Sequence, residues 1–284
     1  MKISKLVIAI SFHFKEDRIA FLRKVVENIS IMDINYEIFV FTNSHGMENI
    51  KQLREVFSSL KINNYKILSP TYLGHPFLLT WSHLSIFREV FESDTSASHF
   101  LYLEDDICIS KDNINYWLKS REDLREKNLV PSFLRFEIAE LSTQKFVTDI
   151  TRVTSIRKLP KHWVNKDYIF LNFPEPYQGL YMMDRELMDE FLRSKAAIPE
   201  YSKWGIREKA AAGLTFVNVP RGFKSRNCVA YSIKEKSIIS DSLVHHISNS
   251  YVNDPKTKLG KLKLEKVVGF NFIDQIFLYF FKKY

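Results

Sequence analysis

The stretch His99-Phe100-Leu101-Tyr102-Leu103-Glu104-Asp105-Asp106-Ile107 runs from apolar residues directly into three adjacent acids. Its first five residues have the length and composition of a buried strand. Three neighbouring carboxylates repel one another, so they suit a buried strand end only where a cation neutralises them. Oxygen ligands of this kind favour Mg²⁺ or Mn²⁺, which bind one or two carboxylates and share their other positions with substrate phosphates and water. A solvated acidic turn explains the triplet equally well.

Strand-like and helix-like patterns alternate before this acidic stretch. The strand-like segments are 5–12, 36–41, 65–68 and 99–103, and the helical ones are 17–29, 47–60 and 78–91. This alternation predicts βαβ units and an α/β fold with a mixed, mostly parallel sheet flanked by helices, whose ligand site lies beyond the carboxyl ends of the strands. The later pattern is less regular. It predicts strands at 133–138, 153–161 and 177–183, helices at 184–192 and 203–213, and an extended segment at 215–219.

The composition is that of a folded globular protein. The chain has 284 residues, 45% of them apolar, and a formal charge of +8. Its only cysteines, Cys108 and Cys228, are too few for a disulfide scaffold and lack the paired spacing of a zinc site, so both are expected to be reduced. No Walker-type glycine-rich loop or basic groove pattern indicates nucleic-acid binding.

The N-terminal residues 1–14 resemble a signal peptide only superficially. No small-residue cleavage site follows the short apolar run, and four charged residues come at once at 15–18. No stretch approaches the roughly 18 apolar residues that a spanning helix requires. The sequence therefore predicts a cytoplasmic protein that is soluble or peripheral on the inner face of the membrane.

A change in composition near residue 254 separates a catalytic-domain candidate, 1–253, from a basic and aromatic tail, 254–284. The tail holds seven Lys and three acids, and its residues 267–281 are largely apolar and aromatic. Lysines beside apolar aromatics are typical of an interfacial membrane anchor. A terminal helix docked on the domain, or on a partner subunit, explains the same pattern.

The acidic stretch resembles the DXD-type motif of GT-A fold glycosyltransferases, in the EDD form. In that family the motif follows the fourth strand of the nucleotide-binding half, here 1–110, and 111–253 corresponds to the acceptor half. The resemblance implies that Asp106 ligates a divalent Mn²⁺ or Mg²⁺ ion carrying the sugar-nucleotide diphosphate. It also implies that Glu104 and Asp105 contact the ribose, the donor sugar or the waters on the metal.

The same resemblance extends to other residues. Many GT-A enzymes return a C-terminal histidine to the metal, and the adjacent His245 and His246 are candidates, His246 being favoured because neighbours on an extended segment point to opposite faces. Glu208, at the start of a late alanine-rich helix, is the candidate general base of an inverting reaction, with Glu200 and Asp184 as competitors. An ion pair of Glu208 with Arg207 or Lys209 is the structural alternative.

Further candidates for contacts with the nucleotide sugar come from strand ends, from the helix before the acidic motif and from a glycine that lets a sugar approach the backbone. They are His13, Arg18, Thr42, Asn43, Thr80, His83 and Gly179. Arg18 can equally be a helix-end charge with a salt-bridge partner, and His13 a turn residue.

The resemblance therefore implies a nucleotide-sugar-dependent glycosyltransferase, with a UDP-sugar favoured, that acts on a glycan acceptor. If the tail binds a membrane, the acceptor is lipid-linked and the product a bacterial cell-surface polysaccharide such as lipopolysaccharide. Two alternatives stay open: a noncatalytic carbohydrate-binding or scaffold protein of this fold, and a metal-dependent nuclease or phosphotransferase. The oligomeric state is not encoded in any recognisable pattern.

Overall fold

The chain forms two compact units, and each of them is built from two separate stretches of sequence. The first comprises Met1–Lys111 and Gly179–Leu214, and the second comprises Asp112–Gln178 and Thr215–Tyr284. Residues 179–214 thus return to the first unit, a crossing that local patterns along the chain do not reveal. A computed structural model describes residues 2–71, 73–200, 204–270 and 274.

The described strands vary from two to seven residues. In chain order they are β1 (Leu6–Phe12), β2 (Tyr36–Thr42), β3 (Tyr65–Leu68), β4 (His99–Glu104), β5 (Ile107–Cys108), β6 (Val130–Pro131), β7 (Leu134–Ile138), β8 (Lys145–Val147), β9 (Thr154–Ser155), β10 (Lys161–Trp163), β11 (Tyr168–Leu171), β12 (Leu180–Asp184), β13 (Asn227–Ser232), β14 (Ser237–Ile238), β15 (Leu243–His246), β16 (Leu262–Lys263) and β17 (Val268–Gly269).

The described α-helices are α1 (Ile19–Ser30), α2 (Met47–Ser59), α3 (His83–Ser93), α4 (Lys111–Leu124), α5 (Arg185–Arg193), α6 (Ile206–Ala210) and α7 (Ser250–Asn253). Short 3₁₀ turns precede two of them, at Glu16–Arg18 and Pro76–Trp81. Helix α1 buries Leu22, Val25, Val26 and Ile29, the apolar stripe of an amphipathic helix.

The sheet of the first unit has the order β12-β4-β1-β2-β3. Strands β4, β1, β2 and β3 are parallel, and β12 is antiparallel to β4. All seven residues of β1 are buried, as expected for a central parallel strand covered by helices on both faces. The predicted α/β class with a mixed, mostly parallel sheet flanked by helices is therefore confirmed.

The register of this sheet brings three strand ends together. Phe12 at the end of β1 pairs with Thr42 at the end of β2, and Ser11 pairs with Glu104 at the end of β4. The residues that follow these strands, including the acidic triplet, consequently leave the sheet at one edge. This edge is where ligand sites of open α/β sheets lie.

The second unit is built from short, mostly antiparallel strands. One sheet has the order β10-β11-β13-β14, with β6 also pairing with β13, and strands β16, β8, β7 and β15 lie side by side in another. The predicted edge strand at 153–161 is instead interrupted: β9 and β10 are separated by a 3₁₀ turn at Ile156–Lys158. The predicted extended segment at 215–219 is wrong, because turns and bends occupy it and Asn218 has a positive φ of 49°.

The described part of the basic tail belongs to the second unit. Strand β16 pairs with β8, and β17 pairs with β9. Val267 is fully buried in the hydrophobic core of this unit, and Asp274 is also fully buried. Residues 271–273 and 275–284, most of the predicted membrane anchor, lie outside the described residues. Where the structure describes the chain, no helix has the length and apolar character needed to cross a membrane.

Gly260 fixes the path of this tail segment. Its φ is +67°, and a Cβ atom there would lie 2.8 Å from the backbone nitrogen of Val252 and 2.9 Å from Cβ of Tyr251. Its own N–H donates to the carbonyl of Thr148 at 3.2 Å. Both the left-handed backbone and the close approach therefore require glycine.

We expect Gly260→Ala to lower the free energy of unfolding by more than the roughly 1–2 kcal/mol that a left-handed backbone alone costs, since the new methyl group collides with backbone. Gly222→Ala is the matched control, because Gly222 has a φ of +91° and open space around it. Urea unfolding of both variants measures the difference. Equal losses would show that the contact of Gly260 with Tyr251 and Val252 contributes nothing.

Candidate functional site

Two acids of the triplet are buried and share one arginine as an ion-pair partner. Asp105 and Asp106 are 4% and 6% exposed, and Glu104 is half-buried. Arg18, at the end of the 3₁₀ turn after β1, donates from Nε to Asp105 Oδ2 at 2.8 Å and from Nη2 to Asp106 Oδ2 at 3.1 Å. Nη2 also bonds Asp105 Oδ1, so the contact with Asp105 is bidentate. Arg18 is thus the salt-bridge partner of the triplet.

Burial dominates the electrostatics of this cluster. It raises the pKa of Asp105 to about 7, an effect that the bidentate bond from Arg18 opposes and the charges of Asp106 and Glu104 increase. The same hydrogen bond raises the pKa of Arg18, which therefore stays charged. Burial thus opposes ionisation of Asp105, and the charge of Arg18 favours it.

Two buried hydroxyl groups lie on the face of the sheet that carries Glu104. Tyr102 precedes Glu104 by two residues in β4, and Ser11 is its register partner in β1. Neither hydroxyl has a hydrogen-bond partner of good geometry among the described residues. Burial raises the pKa of Tyr102, and the charge of Glu104 adds to that effect. These two groups hold unused hydrogen-bonding capacity beside the acids.

The ends of β1 and β2 place two predicted nucleotide contacts side by side. Asn43 Oδ1 accepts from the backbone N–H of Phe14 at 2.7 Å, and its Nδ2 lies 3.5 Å from His13 Nε2. Both side chains are exposed. Burial, together with the charges of Lys15 and Arg18, lowers the pKa of His13. Thr42 is instead fully buried, and its hydroxyl accepts from the N–H of Ser44 at 3.3 Å.

His83 and Thr80 lie in the core of the first unit. His83 is fully buried, with Nδ1 2.6 Å from the carbonyl of Thr80 and Nε2 2.7 Å from the hydroxyl of Tyr181. Because a carbonyl only accepts, Nδ1 carries the proton and Tyr181 donates to Nε2. Thr80 donates to the carbonyl of Phe77 at 2.8 Å. Neither His83 nor Thr80 could contact a nucleotide-sugar donor through these atoms without losing these hydrogen bonds.

Burial lowers the pKa of His83 from 6.5 to about 3. Between these values the unfolded chain binds a proton that the native chain does not, so the free energy of unfolding falls as the pH decreases, by up to about 1.4 kcal/mol per pH unit. We expect His83→Gln to reduce this pH dependence, measured by urea unfolding at pH 7.5, 6 and 5. His45→Gln, at an exposed position, is the control. An unchanged slope in His83→Gln would contradict the assignment of a buried neutral imidazole.

Gly179 lies directly against the acidic triplet. It precedes β12, which pairs with β4, and the N–H of Glu104 donates to its carbonyl at 3.1 Å. Its φ is +66°, in the left-handed region that favours glycine. Gly179, which is expected to let a sugar approach the backbone, thus lies beside Glu104.

Glu208 lies in the first turn of the short helix α6. Its carboxylate is 41% exposed and 3.8 Å from Nε of Arg207. The helix is fixed by a hydrogen bond from Nε1 of Trp81 to the carbonyl of Ile206, 2.8 Å long.

Asp184 and Glu200, the other candidates for the general base, lie in different environments. Asp184 is buried and caps α5 by accepting from the N–H of Leu187 at 2.8 Å, so its carboxylate has a structural role. Glu200 is exposed, and its carbonyl accepts from Nζ of Lys209 at 3.3 Å.

The adjacent His245 and His246 point to opposite faces of β15. The ring of His245 stacks on Phe136 at 4.9 Å between centroids. His246 is buried and its Nδ1 lies 2.6 Å from Oε1 of Glu137. Glu137, fully buried, also accepts from the N–H of Val252 at 2.5 Å. A carboxylate that holds one ring nitrogen fixes the orientation of the other, as in many metal-bound histidines.

Glu137 was not identified from the sequence, because it lies in an ordinary strand pattern. A role of His245 or His246 in metal binding stays a prediction. Across residues 2–71, 73–200, 204–270 and 274 there is no group of three or more His, Cys, Asp or Glu side chains that could hold a metal ion by itself.

No family model matches this chain, and no curated protein matches it either. The solved structures with distant similarity include the following three. A mannosyltransferase from Pyrobaculum calidifontis, in complex with GDP-Man and Mn²⁺, is 10% identical at a TM-score of 0.33, over 46% of this chain and 35% of that one. The chain thus spans about a third of the mannosyltransferase.

The other two similarities cover more of the chain. An active-site variant of LgtC is 12% identical at a TM-score of 0.37, over 73% of this chain and 69% of that one. S. aureus TarS is 10% identical at a TM-score of 0.44, over 89% and 67% respectively. All three TM-scores lie below one half, so the description of the site rests on its own residues.

Proposed function

We propose that the protein is a glycosyltransferase that moves a sugar from a nucleotide-sugar donor to a glycan acceptor with the help of a divalent metal. The observation that carries the proposal is the buried acidic triplet at the carboxyl end of β4, beside β1 and β2 in a parallel sheet. Buried carboxylates there are costly unless they meet cations, and Arg18 already supplies one.

The chemistry of the donor set fits Mn²⁺ or Mg²⁺. Asp106 offers a carboxylate, and such ions commonly take one or two carboxylates and complete their coordination with substrate phosphates and water. The buried hydroxyls of Tyr102 and Ser11 are consistent with a polar guest near the acids. In this proposal Asp106 would hold the metal, and the role of His246, or His245, as a metal ligand stays a prediction from the sequence. The bound metal would neutralise the departing diphosphate.

The remaining residues of the first unit orient the donor. Exposed His13 and Asn43 offer hydrogen bonds to the nucleotide base, and Arg18 offers a charge to the ribose or phosphates. Glu104 and Asp105 bond sugar or ribose hydroxyls. The backbone at Gly179, without a side chain, lets the donor sugar approach Glu104.

Glu208 is the proposed general base. Its exposed carboxylate accepts the proton of the acceptor hydroxyl, whose oxygen then attacks the anomeric carbon as the bond to the diphosphate breaks. Attack from the face opposite the leaving group inverts the configuration.

The finer assignments follow from the composition of the tail. A lysine-flanked aromatic segment suits a membrane surface, so the proposed acceptor is a lipid-linked glycan of cell-surface polysaccharide synthesis, such as that of lipopolysaccharide. A UDP-sugar is the favoured donor. Since Val267 is part of a hydrophobic core, a truncation that tests the anchor should begin after Asp274 rather than at Gly260.

We expect Asp106→Asn to abolish sugar transfer and to remove the metal dependence of donor binding. The measurement is a screen of nucleotide sugars by thermal shift with and without Mn²⁺, since a ligand of the native state raises its Tm. The wild type should be stabilised by one donor only when Mn²⁺ is present. Asp112→Asn, at an exposed position, should behave as the wild type. Near-normal turnover of Asp106→Asn in Mn²⁺ would contradict the metal site.

We expect Glu208→Gln to lower kcat by roughly 10²-fold or more while the donor affinity changes little, because a base acts on proton transfer rather than on donor binding. Donor titration and turnover on the same variant separate the two effects. Glu89→Gln, on the exposed side of α3, is the matched control. Unchanged turnover, or a product of retained configuration, would move the role away from Glu208. Donor binding without any transfer by the wild type would favour the noncatalytic alternative.

A further inference from the structure

The second unit contains a cavity that the proposed function does not use. Its volume is about 390 Å³, within the range of small-molecule sites. Its charged lining residues are all cations, and no Asp or Glu lines it. They are Arg152, Lys158 and Lys224, accompanied by the polar residues Thr154, Ser155 and Asn172.

These three cations are not neutralised by the rest of the described chain. None of Arg152, Lys158 and Lys224 forms an ion pair with another described residue. Their neighbour Arg157 behaves differently, because its Nε lies 2.7 Å from Oδ1 of the buried Asp274. In the segment 152–158, Arg157 therefore forms an ion pair with a buried acid, whereas Arg152 and Lys158 line the cavity.

One wall of the cavity is held by a fully buried amide. Asn172 donates from Nδ2 to the carbonyls of Ser225 and Asn227 at 3.1 and 2.7 Å. Its Oδ1 accepts from the N–H of Lys224 at 2.7 Å, and its own N–H donates to the carbonyl of Pro160 at 2.9 Å. The backbone that carries Lys224 is thus fixed before any ligand arrives.

The opposite wall is fixed by the tail segment. The N–H of Thr154 donates to the carbonyl of Val267 at 3.1 Å, and the hydroxyl of Ser155 donates to Asp274 Oδ1 at 3.1 Å. The hydroxyl of Thr154 makes no hydrogen bond to a described residue, so it is available as a donor. The backbone around the cavity is thus held by hydrogen bonds, and the exposed side chains of Arg152, Lys158 and Lys224 are the groups that an oxyanion would order on binding.

We propose that this cavity binds the phosphate group of a phosphorylated ligand. Three positive charges match a phosphate ester better than a single carboxylate, since no Asp or Glu lines the cavity and the nearby Asp274 is already paired with Arg157, and the volume leaves room for the group esterified to it. The ligand is either a free phosphorylated molecule or a phospholipid headgroup. The inference rests on residues of the second unit alone and does not depend on the proposed transferase activity.

The first test is calorimetric titration of the full chain with glycerol 1-phosphate, with glycerol and glucuronate as comparison probes. We expect binding of the phosphate ester, weakening with added salt, no binding of glycerol and weaker binding of glucuronate. The double variant Lys158→Gln, Lys224→Gln should raise the Kd at least tenfold. The charge-preserving pair Lys158→Arg, Lys224→Arg should retain binding.

The matched control is Lys256→Gln, Lys258→Gln, which removes two exposed lysines of the same unit away from the cavity. Its Kd should equal that of the wild type. Equal loss in both double variants would mean a general charge effect and would overturn the site. So would tighter binding of glucuronate than of the phosphate ester, or absence of binding by the wild type.

The source of the phosphate is decided by flotation with vesicles of phosphatidylglycerol and of phosphatidylcholine. Loss of binding to phosphatidylglycerol in the Lys158→Gln, Lys224→Gln variant identifies a lipid headgroup. Unchanged flotation, combined with loss of glycerol 1-phosphate binding, identifies a free phosphorylated ligand. If the variant binds both probes as the wild type does, the proposal is overturned.

Discussion

Burial of negative charge at the end of β4 is the constraint on which the candidate site depends. Asp105 and Asp106 are almost completely withdrawn from solvent, and Arg18 bonds both. Removing one partner of such a buried ion pair typically costs about 3–5 kcal/mol, because the remaining charge is left uncompensated. Arg18 therefore links the turn after β1 to the end of β4. In this arrangement an additional cation can replace some of the contacts that Arg18 makes with the acids.

The parallel sheet separates the polar residues around this edge into two groups. Strand ends deliver exposed groups, such as His13 and Asn43, that are free of the core. The helix that precedes β4 delivers His83 instead into the core, where Tyr181 and a backbone carbonyl satisfy its nitrogens. Polar residues that are equally good site candidates in the sequence thus differ in their exposure, and only the exposed ones have atoms available for a ligand.

The parts of the fold that could be predicted from the sequence are those determined by local patterns. Strands β1 to β4 are short, largely apolar segments that alternate with helical patterns, so their positions and the parallel sheet follow from composition and alternation. The turns at 215–219 and the interruption after β9 could not be predicted, because partners distant in sequence decide them. The sequence leaves the salt bridge of Arg18 as one of two open alternatives. It gives no signal for Glu137, whose importance arises from its contact with His246 in the neighbouring strand.

In the second unit, carboxylates withdrawn from solvent have hydrogen-bond donors, whereas the three cations around the cavity have no ion-pair partner among the described residues. Asp149 bonds Arg135 through two contacts of 3.0 and 2.7 Å, Asp274 bonds Arg157, and Glu137 is held by His246 and backbone N–H groups. Each of these buried carboxylates has a donor, as the cost of burying charge requires. Lysines scattered over a solvated surface need no partner. Arg152, Lys158 and Lys224 are exposed too, but they line one cavity, and the proposed anionic ligand would reduce their mutual repulsion.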